Sequence, residues 1–316
     1  MKSSSASARS ALRPCAWFSR FGLAVGALML AGLPLQAQDE GREMIRDIIK
    51  EEDLTYAVIL NASNKEMRDL LRKDLLDRSP DSAKSVDGFL SDMSVFVAAE
   101  VIQDGHKVMI EASAGNINPR TRSLLLAQGL PKSFIKPTAA VLSIKIDGKD
   151  IKGEALDAFG EAFAQEDRKP DTSVVLNAEQ EKMVNAIFDK DLAGAIVLGR
   201  KNPEWRKGLA KITAEHPGLQ IRLDSVDKNI THVVGIALEK SGTKLGVVVA
   251  LGDFNAKVRD TFVAGGVPEA LVGPQAAMLS VTVNGVPLKG DKLQDFAEAF
   301  KKASVTAEPS LIDLSK

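Results

Sequence analysis

Apolar residues recur at every second position in two separate stretches of the chain, which predicts two half-buried β-strands. The alternating residues are Leu142, Ile144 and Ile146 in the first stretch and Leu279, Val281 and Val283 in the second. Each stretch ends in a pair that favours a tight type I′ turn, Asp147-Gly148 or Asn284-Gly285. Pro287 cannot donate a hydrogen bond to a sheet ladder, so the short segment after the second turn is predicted to be a sheet edge.

After each turn the apolar spacing changes to that of an amphipathic helix. Gly153 and Gly290 stand where an N-cap is expected, and an acidic residue follows each of them. The apolar positions lie three and four residues apart: Leu156, Phe159 and Phe163 in the first helix, and Leu293, Phe296 and Phe300 in the second. Each stripe is expected to pack on the sheet, with Phe163 and Phe300 in the core.

The two stretches are copies of each other, since residues 139–163 recur as 276–300 at a constant offset of 137 residues. A helix–strand–helix segment near the start, with an offset of 138, extends the similarity to most of the chain. We therefore predict an α+β fold built by tandem duplication of a unit of about 130 residues. The order within each unit is helix, strand, helix, hairpin, helix, strand, helix. The two units either pack about a pseudo-twofold axis or join their sheets.

Between the strongly periodic elements the two copies differ. Residues 79–86 are predicted to form a polar loop, and residues 219–223 a short strand at the same place in the second copy. A long hairpin follows in both copies, with strands at 95–102 and 107–114 and at 230–238 and 244–251. Asn202, followed by proline, is predicted to cap a helix that starts at the next residue.

Residues 1–37 have the pattern of a secretory signal peptide, with a basic start, a short apolar run and a small residue, Ala37, at the end. An uncleaved anchor is the alternative. The domains predicted after it are repeat 1 at 38–166, a linker at 167–177, repeat 2 at 178–303 and a tail at 304–316. We expect a periplasmic or secreted bacterial protein that has no membrane span once the signal has been removed.

The composition and the absence of known motifs argue against several kinds of functional site. The only cysteine, Cys15, lies in the predicted signal, so the exported chain has no disulfide and no thiol nucleophile. The net charge of −1 gives no electrostatic basis for binding nucleic acid. No phosphate loop, dinucleotide-binding glycine motif, zinc-protease helix or calcium loop is present, so no cofactor or metal is predicted. His106, His216 and His232 are not spaced as metal ligands, and we expect them in a turn, a loop and a strand.

Arg122 and Arg259 are the candidate ligand-binding residues, because both copies place an arginine four residues after a capping asparagine. Our first expectation is that each guanidinium braces its own half by binding a carboxylate or loop carbonyls. A clamp on a ligand carboxylate is the alternative. Arg68 and Arg206 form a second matched pair of arginines. Glu100 and Glu111 lie on the two arms of the first hairpin and could approach each other, although a solvated hairpin face is expected.

No catalytic constellation emerges from these patterns. We therefore predict a non-enzymatic exported protein that binds a protein or small-molecule partner in the cell envelope. The alternative is an envelope-directed hydrolase that uses carboxylates the sequence does not single out. A cleft with converging acids would favour the hydrolase.

Overall fold

The computed structural model describes residues 53–61, 65–78, 83–166, 192–240 and 242–305. The predicted signal peptide, the linker and nearly all of the predicted tail lie outside these residues. The chain divides into two compact units. Of the described residues, unit 1 contains 60–61, 65–78 and 83–166, and unit 2 contains 53–59 and those from 192 onward. No helix in the described part of the chain is both long and apolar enough to cross a membrane.

The described residues of unit 1 form four helices and an antiparallel sheet. The helices are α1 (Lys65–Arg78), α2 (Ala83–Asp92), α3 (Pro119–Ala127) and α4 (Glu154–Glu166). The strands are β2 (Met93–Gln103), β3 (His106–Gly115), β4 (Ala139–Ile146) and the short β5 (Lys149–Asp150), and they lie in the order β2-β3-β4-β5. The chain forms this sheet by antiparallel pairing of successive strands. A 3-10 turn, Lys132–Phe134, precedes β4.

Unit 2 contains the same kinds of element in nearly the same order. Its strands are β6 (Leu192–Gly199), β7 (Ile230–Lys240), β8 (Thr243–Gly252), β9 (Ala276–Val283) and β10 (Val286–Pro287). Its helices are α5 (Trp205–Ile212), α6 (Pro217–Ile221), α7 (Leu223–Val226), α8 (Ala256–Ala264) and α9 (Asp291–Val305), with 3-10 turns at Thr213–Glu215, Asp227–Asn229 and Glu269–Leu271. Strands β6 to β10 also pair antiparallel in succession. The predicted mixture of helices with a large antiparallel sheet is confirmed.

The first described strand, β1 (Leu54–Asn61), lies beside β6 in the strand order. Its residues 54–59 belong to unit 2, although in the sequence they precede every described residue of unit 1. The side-chain amide of Asn202 donates to the backbone carbonyl of Thr55 at 3.2 Å, and Lys201 lies 3.7 Å from Asp53. Unit 2 is therefore assembled from two stretches of chain that are far apart in sequence.

The turns and caps follow the sequence predictions closely. Asp147 and Asn284 adopt φ values of 50° and 51°, and the glycine after each also has a positive φ, as type I′ turns require. Helices α4 and α9 begin directly after Gly153 and Gly290. Strand β10 pairs with β9 at the end of the strand order, so the prediction that Pro287 lies at an edge is confirmed.

Each unit has an apolar core. In unit 1 the buried side chains of this core come mostly from α2, α3 and the strands, and include Phe89, Phe96 and Leu125. In unit 2 the core includes Trp205, Phe254 and Phe262. Phe296 is 6% exposed in this core, while Phe300 is only partly buried against it. Phe159, which corresponds to Phe296, is half-buried, and the Phe163 side chain lies outside the described part.

Three local predictions are wrong. Residues 83–92 form helix α2 instead of continuing a polar loop, because Val86, Phe89 and Leu90 form an apolar stripe at helical spacing. Residues 219–223 are not extended: residues 219–221 lie in α6, Arg222 is a turn residue, and Leu223 begins α7. Helix α5 begins at Trp205, later than predicted, because the Asn202 side chain accepts from the Glu204 N–H in a turn before the helix.

Candidate functional site

An open groove of about 310 Å³ runs between α1 and α2 of unit 1. We call it the α1–α2 groove. Three cationic side chains, two carboxylates and one leucine line it: Lys65, Arg68, Arg72, Asp69, Asp87 and Leu90. The helix α1 supplies all three cations at positions three and four residues apart, which places them on one face of the helix. The groove therefore carries one more positive charge than negative.

Two of the three cations are paired within the groove. The guanidinium of Arg72 forms a bidentate pair with Asp87: Nε donates to Oδ1 at 2.7 Å, and Nη2 donates to Oδ2 at 3.4 Å. Lys65 donates to Asp69 at 2.6 Å. Both carboxylates thus already hold a cation. These side chains are exposed, so each pair adds little stability by itself.

Arg68 is the third cation, and its guanidinium makes no hydrogen bond or ion pair with the described residues. Its side chain is half-buried, so part of its hydration has been lost. The hydrogen bond from Arg72 is the main cause that lowers the pKa of Asp87, and the charge of Arg68 lowers that pKa further. The pKa of Arg72 is raised by the same bond. The groove therefore favours the ionised form of Asp87, and Arg68 is the cation without a bonded carboxylate among the described residues.

The matched arginine of unit 2 has a different environment. Arg206 lies 3.1 Å from a carboxylate oxygen of Asp224 and 3.5 Å from one of Asp227. Asp227 is 8% exposed and also accepts a hydrogen bond from the indole Nε1 of Trp205 at 2.6 Å. Arg200 donates to the backbone carbonyls of Lys228 and Asp227, at 2.6 and 3.2 Å. This cluster has no cation without a partner, and it ties α5 to the segment that leads into β7.

The candidate residues Arg122 and Arg259 occupy equivalent places on α3 and α8. Each helix is capped by the predicted asparagine: Asn118 accepts from the N–H groups of Arg120 and Thr121, and Asn255 accepts from that of Val258. Both arginines are half-buried. Neither guanidinium forms a hydrogen bond or ion pair in the described part of the chain, so the expected brace is not found there.

At the start of α3, the capping residue and its neighbours form side-chain hydrogen bonds that Arg122 does not form. The amide of Asn118 and the hydroxyl of Thr121 both donate to Oδ2 of Asp92, the last residue of α2. The bracing expected of Arg122 is thus provided by an aspartate, an asparagine and a threonine. An exposed aliphatic side chain follows each arginine one turn later, Leu126 on α3 and Val263 on α8.

The remaining sequence candidates do not converge. His106 is exposed, whereas His216 and His232 are buried, and no group of acidic or histidine side chains among the described residues could hold a metal ion. Glu100 lies opposite Met109 in the hairpin, and Glu111 lies opposite Ala98. Glu111 instead binds Ser143 and Lys145 on the neighbouring strand.

Lys65, Arg72 and Asp87 were not singled out by the sequence. The spacing of the cations along α1 was a visible signal. The partner Asp87 was hidden, because it lies directly after the predicted loop at 79–86, in a stretch for which no helix was predicted.

Comparison with known proteins adds little. Neither a protein-family model nor a curated protein sequence matches the chain. Crystal forms I and III of TP0453 are similar to it with TM-scores of 0.38 and 0.35 and identities of 10% and 7%. The matches cover 78% and 79% of this chain, and 94% of TP0453 in both cases. TM-scores at this level carry no argument about the fold or the function.

Proposed function

We propose that this is an exported, non-enzymatic binding protein whose α1–α2 groove takes a small anionic group of a partner or ligand. The observation that carries the proposal is the position of Arg68. Its half-buried guanidinium lies in an open groove where both carboxylates already hold other cations. A guanidinium offers five donors in a planar fork, so an anion that enters the groove gains charge-assisted hydrogen bonds.

We also propose that the protein arose by tandem duplication and that it is exported from the cytoplasm. The matching order of elements in the two units, together with the repeated sequence 139–163 and 276–300, supports a tandem duplication. The basic and apolar pattern of residues 1–37 supports export by a cleavable signal. N-terminal sequencing of the exported protein is expected to start at or near Gln38. An intact N-terminus held in the membrane would contradict export in cleaved form.

Arg122 and Arg259 remain candidates for a second contact with the same partner. Each presents a half-buried guanidinium without a bonded partner in the described residues, beside an exposed aliphatic side chain. A combination of an arginine and an apolar side chain is common at protein–protein contacts. We assign Arg122 to the rim of a partner interface on unit 1, where the α1–α2 groove is the anchoring contact, and Arg259 to a separate contact on unit 2.

A titration of the purified protein with small anions tests the groove. We use propionate and inorganic phosphate at constant ionic strength and follow the NMR signals of α1 and α2. At least one anion is expected to shift these signals to saturation, and Arg68→Gln is expected to weaken that binding about tenfold, the equivalent of one charge-assisted hydrogen bond or two. Arg120→Gln, an exposed arginine outside the groove, serves as the control. Equal binding by the parent and Arg68→Gln would disprove the assignment.

A further inference from the structure

The two units can be compared position by position near the α1–α2 groove because their backbones make matching bonds there. The N–H of Asn116 donates to the carbonyl of Asp92 at 2.8 Å, and the N–H of Asp253 donates to that of Asn229 at 3.2 Å. The glycines before the two donors, Gly115 and Gly252, lie so close to the same carbonyls that an added Cβ would collide with them. Asp92 therefore corresponds to Asn229.

Counting back from these matched residues relates the lining of the groove to the charged cluster of unit 2. At the same offset of 137 residues, Asp87 aligns with Asp224 and Leu90 aligns with Asp227, whereas the arginines align at an offset of 138, so unit 2 is one residue shorter between them. The sequence repeat itself relates Arg68 to Arg206 and Arg72 to Ala210. The two units thus hold the same arginine next to different sets of neighbours.

The substitutions change which partners this arginine has. In unit 2, where Ala210 offers no competing cation, Arg206 pairs with both Asp224 and Asp227. In unit 1, Arg72 draws Asp87 into a two-ended ion pair, and the second carboxylate is replaced by Leu90. Among the described residues Arg68 therefore forms no ion pair like those of Arg206, although its charge still acts on Asp87, and it lines the open groove.

We propose that the ligand of the α1–α2 groove supplies a carboxylate, which binds Arg68 as the carboxylates of unit 2 bind Arg206. This inference rests on the proposed function and names its ligand class. The excess of a single positive charge matches a singly charged group. A doubly charged phosphate would meet the repulsion of Asp69 and Asp87 at short range. The side chain of Leu90 offers an apolar contact to the carbon next to the carboxylate.

The same carboxylate chemistry has two possible sources, a free short-chain acid or the side chain of a peptide. The experiment therefore compares propionate, a short N-acetylated and C-amidated peptide with one glutamate, and inorganic phosphate, each at equal ionic strength and mildly alkaline pH. NMR signals of the Arg68 side chain and of the α1 and α2 backbone report binding. The two carboxylates are expected to bind several-fold more tightly than phosphate. Tighter binding of the peptide than of propionate would identify a protein partner, and equal binding a free acid.

One variant tests whether the net charge of the groove sets the preference for a carboxylate over phosphate. Asp87→Asn removes one negative charge from an exposed position and leaves Arg68 in place. It is expected to strengthen phosphate binding more than propionate binding. The ratio of the affinity for propionate to that for phosphate should therefore fall. The two proposals fail in different ways. Phosphate binding as tight as that of propionate overturns the carboxylate assignment and leaves the anion groove standing. Saturation by none of the three probes overturns both.

Discussion

The indole Nε1–H of Trp205 donates to Oδ1 of Asp227 at 2.6 Å, and both side chains are buried. The other carboxylate oxygen of Asp227 lies 3.5 Å from Arg206 and 3.9 Å from Arg200. One acidic residue therefore satisfies a buried indole donor and two cations. The residue 137 positions earlier, in unit 1, is the apolar Leu90, so the two units differ in polarity at these positions.

We expect Asp227→Ala to lower the free energy of unfolding by about 1–3 kcal/mol, because the Trp205 N–H is left buried without an acceptor. Asp227→Asn keeps an acceptor oxygen for the indole and loses only the charge, so its cost is expected to be smaller. Denaturant unfolding followed by Trp205 fluorescence measures both. Asp224→Asn, at an exposed pair, is the control, with an expected cost below about 1 kcal/mol. Equal costs for Asp227→Ala and Asp227→Asn would show that the indole bond is unimportant.

The two candidate arginines of α3 and α8 are expected to be dispensable for stability. Arg122→Met and Arg259→Met keep the aliphatic stem and remove a guanidinium that bonds to none of the described residues. The free energy of unfolding is expected to stay within about 0.5 kcal/mol of the parent, as for most surface substitutions. Thermal and denaturant unfolding measure this. A loss above about 1 kcal/mol in both variants would restore the brace that the sequence predicted.

Asp147 gives unit 1 a pH dependence at its β4–β5 turn. Its carboxylate accepts from His106 Nδ1 at 2.8 Å and from the backbone N–H of Lys107 at 3.0 Å. These bonds, with that of His106 as the larger cause, hold the pKa of Asp147 below its usual value. A lowered pKa favours the folded state fully above the ordinary aspartate pKa of about 3.9, and this stabilisation is lost as pH falls through the lowered pKa.

An NMR titration of the Asp147 carboxyl carbon is expected to give a midpoint below that ordinary value. Asp147→Asn copies Asn284, whose side-chain oxygen accepts from the Lys244 N–H at 2.8 Å. This variant is therefore expected to keep the turn while removing its share of the acid dependence. A normal midpoint for Asp147, or unchanged acid unfolding in Asp147→Asn, would contradict this account.

The two stacked rings of α9 are expected to differ in their cost of removal. Phe296 and Phe300 have ring centroids 6.3 Å apart, and only Phe296 is buried in the core. Phe296→Ala is expected to lower the free energy of unfolding by about 3–5 kcal/mol. Phe300→Ala is expected to cost clearly less, because part of its ring already contacts solvent. Denaturant unfolding ranks the two, and the opposite order would refute the assigned burial.

Local chemistry made much of the fold predictable. The turns at Asp147 and Asn284, the caps at Asn118 and Asn255 and the edge at Pro287 depend on the conformation of a few consecutive residues. Helix α2 was missed because its polar start concealed the spacing of its apolar residues. Prediction from the sequence succeeds where a few neighbouring residues in the chain determine the local conformation.

The candidate site was not predictable in this way. The ion pair of Arg72 with Asp87 joins residues 15 positions apart, and it forms only because α1 packs against α2. The brace expected of Arg122 failed for a related reason: a motif places an arginine on a helix but does not fix where its flexible head goes. The sequence shows an aspartate at position 227 and a leucine at position 90. This difference points to a binding site only because the structure shows that Asp227 pairs with Arg206.

The position of β1 has a consequence for how the chain folds. Thr55 and Asn202, which bond to each other in unit 2, are 147 positions apart. In the sequence, residues 54–59 of β1 come before every described residue of unit 1, while β6, the strand beside β1, comes after all of them. Closing so long a loop costs entropy before its contacts are gained, and contacts between distant residues slow folding. Unit 2 is therefore expected to complete its fold only when β6 has joined β1, whereas the described helices and strands of unit 1 follow one another in the chain.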